Sequence, residues 1–495
     1  MKKGLSIVTP RFQIAGIVRQ LGQHKENVVL LAAGMFFFFI LFSSIDAGEH
    51  KFIAIPFMLL LTPLLIVYPR LFIVCFFGSF FLDKNVYIFE HHFSYIFINV
   101  QDVLGLLFIA GFSAKYLFKD RKIGETLQRP PASKTTRITQ FLFLLLLLSS
   151  ISFIVNINSF SLIDAFRAAD NLFHLIELIA VFIIMMNEFS YSDRSFFINT
   201  IIAFSLAELA IVGYQYFSAL SHGSYYFRDI SGLFGHHCQV GNMMTISIVC
   251  SIHNLFETHL LRRKVAYLSI SFLFCWAIIC SGSRSNLLGI ICAVGLLILS
   301  KFKFSKRYFL GTSSLALVSL FLVLFSPFKH ITDFTFKSYS RGIDLSSYQR
   351  LFIWKGAWEH FVHAPFFTKL FGIGIGNYSN IKYSFFLDDG DKVASGAHNN
   401  FLHVLSETGV FGELIFLGLF SAIILALWRA GKQDPFAFLF CWATIALLIS
   451  GLTQETFWFQ ISFGNFWMFY MAGLAMALSY PQSAGLKPAD QEKTT

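Results

Sequence analysis

Charge is scarce in this sequence. Asp, Glu, Lys and Arg make up 13% of its 495 residues, where soluble domains carry roughly 25%. A large soluble enzyme is excluded on that ground. Acids are scarcer than bases, 28 against 38, giving a net charge of +10. No basic groove with interleaved aromatics accompanies that excess, so no nucleic-acid partner is expected. Cysteine is limited to seven residues, most of them inside apolar runs and without metal-ligand spacing. They read as small buried hydrophobes. Cys238 and Cys280 both fall near one face of the membrane, which leaves a disulfide between them open. No cleavable signal is expected either. The basic stretch with Lys2, Lys3, Arg11, Arg19 and Lys25 precedes the first apolar run, and no small-residue cleavage site follows.

What fills the chain instead is apolar. Hydrophobic residues reach 56%, 63 of all residues are Phe, and the mean hydropathy is +0.64. The apolar runs recur at roughly the length needed to cross a bilayer. The expected fold is therefore an all-α, polytopic membrane protein. Fourteen spans are read at about 28–45, 52–68, 71–83, 101–118, 138–155, 170–187, 196–218, 239–257, 265–281, 286–300, 308–326, 407–428, 435–452 and 462–480. The expected division is a cytoplasmic segment 1–27, a transmembrane bundle 28–264, a membrane domain 265–480 with an outer loop 327–406, and a cytoplasmic tail 481–495.

The cations fix an orientation. With the N-terminus in the cytoplasm, the clusters Lys119–Arg137, Arg262–Lys264 and Lys301–Arg307 all fall inside, as do Arg70, Arg194, Arg429 and Lys432. This is the positive-inside bias of multi-span proteins. The few cations left outside then need a reason. Arg284 stands in the short turn S-G-S-R-S-N, Arg228 in Y-F-R-D-I-S-G-L-F-G-H-H, and Arg350 in the long loop before the helix-like run Leu351–Phe361. Each is either a snorkelling or locally paired cation, or a ligand for an anion, which a guanidinium fork grips well when partly desolvated. His398 lies where the long loop re-enters the membrane, with Ser395 or Asn399 as a helix cap and Glu407 further along. An imidazole there could take a proton from a hydroxyl, with His403 as the neighbouring alternative. G-I-G-I-G-N (Gly372, Gly374, Gly376) reads as a tight turn, and Asp388–Asp391 as a solvated acidic turn. Arg167, Asp170, His174 and Glu177 share one helical face and read as an internal packing network.

Over about Ser281–Gly412 the chain resembles the O-antigen ligase and O-antigen polymerase superfamily. The resemblance rests on S-G-S-R-S-N-L-L, on R-L-F-I-W-K-G-A-W from Arg350, on G-I-G-I-G-N-Y and on H-N-N-F-L-H-V-L-S-E-T-G. The segment around Arg228 departs from the family pattern, with His237-Cys238 where Pro-Asn is usual. The resemblance implies a multi-span, GT-C-like glycosyltransferase of the bacterial inner membrane with its active site facing the periplasm. It implies a donor glycan on undecaprenyl diphosphate and an acceptor sugar on lipid A–core or on another carrier-linked glycan. It implies an inverting reaction with neither cofactor nor metal. On this view His398 and Arg284 are catalytic, while Arg228, Arg350, His403 and Glu407 bind diphosphate or glycan. The rival reading is a transporter that flips a lipid-linked glycan. Against it, no internal repeat is found and the charged candidates gather at one face.

Overall fold

In the computed structural model, the described residues are 70–71, 73–75, 87–90, 97–99, 106, 109–110, 132–221, 230, 232, 237–300, 345–383, 392–393, 396–458 and 465–479. They form a bundle of helices: α1 (Ala132–Asn156), α2 (Leu162–Glu188), α3 (Arg194–Ser221), α4 (His237–Glu257), α5 (Leu261–Cys280), α6 (Arg284–Ser300), α7 (Leu345–His363), α8 (Phe366–Phe371), α9 (Asn400–Ala430), α10 (Pro435–Ser450) and α11 (Asn465–Leu478). Two short antiparallel pairs interrupt the helical pattern, β1 (Tyr87–Glu90) with β2 (Phe97–Asn99) and β3 (Lys382–Tyr383) with β4 (Lys392–Val393). The acidic turn Asp388–Asp391 lies outside the described residues, as do the spans expected at 28–45, 52–68 and 308–326 and most of those at 71–83 and 101–118.

Five helices are long and apolar enough to cross a membrane: Arg137–Ser159, Leu162–Glu188, Tyr191–Ala219, Leu261–Cys280 and Asn400–Ala430. This is a multi-pass membrane protein. Three more apolar helices are shorter, among them Pro435–Ser450 and Phe466–Leu478. Helix α4 is different. It covers the span expected at 239–257, yet it carries Asn242, Thr245, Ser247, Ser251 and His253, and every residue from Cys238 to His253 is buried. A helix surrounded by protein can carry hydroxyls because its neighbours satisfy them. Ser247, for instance, shares a 2.6 Å hydrogen bond with Ser205 of α3.

Helix α4 packs along α5, α6 along α10, α1 along α9 and α2 along α11. Phenylalanine and tryptophan fill the centre of α9 to α11. The rings of Phe416, Phe420, Phe440, Phe457, Trp458, Trp467 and Tyr470 lie 4.6 to 6.5 Å apart. These are offset and edge-on distances that add attraction beyond simple burial. At the other end of the same bundle a buried ion pair closes three helices. Arg194, at the start of α3, reaches Asp434 at 2.7 Å and donates to the carbonyls of Met476 and Ser479 at the end of α11. Asp434 is also the N-cap of α10, accepting from the Phe436 amide.

Both Cys238 and Cys280 are free thiols, so the disulfide left open by the sequence is not formed. The four residues on the shared face of α2 make polar contacts. His174 stands 3.7 Å from Asp170 and 3.3 Å from Glu177, and Arg167 donates to Ser379 at 2.8 Å.

Candidate active site

Helix α9 begins at the re-entry of the long loop, and the motif H-N-N explains how that start is built. Asn399 caps the helix, its side-chain oxygen accepting from the amides of Phe401 and Leu402. Its amide nitrogen donates to the Leu452 carbonyl at 2.9 Å. The side-chain oxygen of Asn400 accepts from the backbone amides of Thr456 and Phe457 at 2.8 and 3.2 Å, and its backbone amide donates to the Gly451 carbonyl. Two adjacent asparagines thus dock the helix start onto the connection between α10 and α11.

That connection carries Glu455. Its carboxylate lies 3.2 Å from Nδ1 of His398 and also accepts from the backbone amide of His398. His398 has φ of +49°, the one non-glycine residue among those described with positive φ. Such a conformation costs an ordinary side chain roughly 1–3 kcal/mol and persists where surrounding contacts over-determine it. Here the contacts are Glu455, the Asn399 cap and the indole of Trp354, which donates to the Ala397 carbonyl at 2.9 Å. The imidazole is one-third exposed, while Glu455 is buried. The carboxylate therefore holds the ring by Nδ1 and leaves Nε2 as the other ring nitrogen.

Behind His398 the network continues inward. His403 stands 3.5 Å from Glu455 through Nδ1 and 3.2 Å from Glu407 through Nε2. Glu407 accepts from the Tyr378 amide at 3.1 Å and from the Trp458 indole at 2.7 Å. His403 and Glu407, expected to touch substrate, are each 1% exposed and are walled in behind His398. Burial pushes the Glu455 carboxyl up, but the hydrogen bonds and charges of His398 and His403 outweigh it and hold it well below the usual carboxylate range. A depressed value means that the stabilisation is complete above the ordinary carboxylate pKa and is lost as pH falls through the folded one. At neutral pH Glu455 is therefore the ionised carboxylate facing Nδ1 of His398.

Two of the expected arginines lie on segments attached to this junction. Arg284 is the first residue of α6 and is exposed. Its neighbour Ser285 donates to Gln454, which adjoins Glu455. Asn286 bonds to Ser283 and to the Cys238 carbonyl, and accepts from Ser450 at 3.2 Å. The turn S-G-S-R-S-N is thus anchored on the segment that holds His398. Arg350 lies on α7 one turn before Trp354, which holds the residue preceding His398. Arg228 lies outside the described residues.

The glycine turn supports the same helix. Gly372, Gly374 and Gly376 have φ of +76°, +99° and +78°, so the tight turn is formed by residues that tolerate it. Ile373 and Gly374 donate their amides to the carbonyls of Ser406 and Glu407 at 2.9 and 3.0 Å. Helix α9 breaks at Gly409, where φ is +70°. A Cβ on Gly372 would come within 2.2 Å of the Glu407 backbone, and one on Gly409 within 2.4 Å of Leu370.

Comparison with known proteins bears on this same region. Residues 269–417 match the family model described as O-antigen ligase. Over that stretch the chain is similar to the O-antigen ligases. The match takes in Arg284, Arg350, the glycine turn, His398, His403 and Glu407, and its family is one of glycosyl-transferring enzymes of the cell surface. A search among proteins of curated function gives no match. Glu455 lies beyond the end of the O-antigen ligase match, in the connection between α10 and α11, and is not among the residues expected from the sequence. One signal was available: a carboxylate in a short connection between apolar runs, T-Q-E-T, of a chain poor in charge. Counting cations for topology gives no weight to such a residue.

Proposed function

We propose that the protein transfers a glycan from an undecaprenyl-diphosphate carrier to a sugar hydroxyl at the periplasmic face of the bacterial inner membrane. The acceptor is lipid A–core or another carrier-linked glycan. The observation that carries this reading is His398, strained, partly exposed and gripped through Nδ1 by a buried carboxylate. Such a grip fixes the tautomer and leaves Nε2 to accept a proton, as carboxylate–histidine pairs do elsewhere.

In the proposed reaction His398 Nε2 takes the proton of the acceptor hydroxyl. The acceptor oxygen attacks the anomeric carbon on the face opposite the diphosphate. The bond from that carbon to the phosphate oxygen breaks, and the diphosphate leaves with the bonding pair, inverting the centre. Arg284 and Arg350, with Arg228, meet the charge on the departing diphosphate. Hydrogen bonds to charged groups contribute about 1.5–3 kcal/mol each, so two or three guanidiniums supply what a metal ion supplies in other glycosyltransferases. His403 and Glu407 support the base from behind and do not meet the substrate, because both are buried.

Purified protein in nanodiscs, given a labelled carrier-linked glycan and an acceptor, is expected to move the label to the acceptor and release the carrier diphosphate, with EDTA making no difference. Activity lost in EDTA and restored by Mg²⁺ or Mn²⁺ would overturn the arginine mechanism and turn attention to Asp388–Asp391. Movement of the carrier across the bilayer without transfer would mean transport.

The orientation has its own test. A reporter fused after Lys264 should read cytoplasmic, and one inserted within 380–392 should read periplasmic. A cytoplasmic reading of the latter defeats the assignment, since lipid-linked donor and acceptor are then on the other side.

A further inference from the structure

We propose that α7 and α8 are seated on the outer leaflet of the membrane that the chain spans, with Trp358, Val362, Phe366 and Phe367 in contact with lipid. Helix α7 has two opposed faces. On one, Ile353 and Ala357 are buried against Tyr378, Ile381 and Ala397. Half a turn round the helix, Leu351, Lys355, Trp358 and Val362 recur at intervals of four, three and four, and all are exposed. Just beyond the helix end Phe366 and Phe367 are 69% and 67% exposed, their rings 5.9 Å apart. Large aromatics displayed together on an extramembrane segment mark a contact surface.

The depth of α8 says what that contact is. Beyond its break at Gly409, α9 runs unbroken over 410–430, about 32 Å at 1.5 Å per residue, which matches a hydrocarbon core about 30 Å thick. Counting about twenty residues up from Arg429, the cation at the inner end, reaches Gly409. The lipid-facing side chains of α9 begin directly after it, with Phe411, Leu414 and Leu417 exposed. Phe371, the last residue of α8, lies with its ring 5.5 Å from that of Phe411, and the Leu370 backbone lies against Gly409. Helix α8 therefore sits at the hydrocarbon boundary, and its exposed rings continue the lipid-facing surface of α9.

The chemistry of the rim agrees. Lys355 and Lys369 flank the aromatic patch, and Lys355 is 68% exposed despite its 3.6 Å contact with Glu359. Aromatic rings at headgroup level with lysines reaching the lipid phosphates are the pattern of interfacial helices. Seated so, α7 carries Arg350 at headgroup height, where the diphosphate of a polyprenyl carrier emerges. That last consequence rests on the proposed glycan transfer, whereas the seat rests on the chain spanning the membrane.

The test labels full-length protein in lipid vesicles with an environment-sensitive fluorophore at Trp358→Cys, Phe366→Cys or Phe367→Cys, with Lys382→Cys as the water-facing control and labelled parent protein as the background for native thiols. Lipids bearing a shallow nitroxide should quench the first three several-fold more than aqueous iodide does, and iodide should win at 382. Iodide quenching at 366 and 367 equal to that at 382 overturns the proposal. So does energy transfer between copies that rises with protein density while the nitroxide has no effect, since a second copy would then cover the patch. The readout is independent of glycan transfer, so an inactive protein with lipid-quenched labels counts against the enzyme reading alone.

Discussion

His398→Ala, reconstituted at matched expression, is expected to cut single-turnover glycan transfer by about two to four decades while donor binding stays near the parent level. A positioned base contributes about 100- to 10,000-fold, and the imidazole is the exposed end of the Glu455 network. Two companions separate the roles. Glu455→Gln keeps the size of the side chain but removes the charge that holds Nδ1, so transfer should fall while donor binding holds. Arg284→Ala should weaken donor handling, and Arg284→Lys should restore it in part, because an ammonium lacks the planar fork. Wild-type transfer by His398→Ala would remove it as the base. Lost donor binding in that variant would make it a diphosphate ligand instead. His403 is a poor substitute in either case, being 1% exposed between two carboxylates.

The other large effect lies at the far end of the bundle. Asp434→Ala should strongly lower the melting temperature in detergent, because it leaves Arg194, 3% exposed, without its 2.7 Å partner. Breaking a buried pair by removing one member costs about 3–5 kcal/mol. The same change removes the cap of α10, worth about 1 kcal/mol. Asp434→Asn keeps a good capping oxygen and removes the charge, so its melting temperature should fall between the two. Replacing both partners, with Arg194→Met beside Asp434→Ala, should recover part of the loss, since no uncompensated charge is then buried. An unchanged melting temperature in Asp434→Ala would mean that the pair contributes nothing net.

The sequence made the spans legible because the bilayer imposes a length and a polarity that each run must meet alone. Nine of the fourteen expected spans fall on described helices, α1 to α6 and α9 to α11. It also singled out Arg284 and Arg350 as rare charges in an apolar chain, and they fall on α6 and α7. What stayed hidden is what depends on two distant segments meeting. Glu455 is 57 residues from His398 along the chain, and nothing in T-Q-E-T says which histidine it faces. Burial was hidden for the same reason. His403 and Glu407 share the helix start with His398, and only the neighbours Tyr378 and Trp458 decide that they are enclosed. The polar content of α4 reads as a weak span until the surrounding helices are in place.

The docking of the glycine turn on α9 has a mechanical consequence. Ile373 and Gly374 bond directly to the carbonyls of Ser406 and Glu407, with no side chain between the two backbones. A hinge needs some slack, such as a rotamer that can turn or a methylene that can slide. Here a relative shift of about one ångström would stretch both bonds beyond hydrogen-bonding range. The turn and the outer part of α9 therefore move as one stiff block, on which His403 and Glu407 ride. Any motion that opens the site must part other elements from this block and leave the block itself whole.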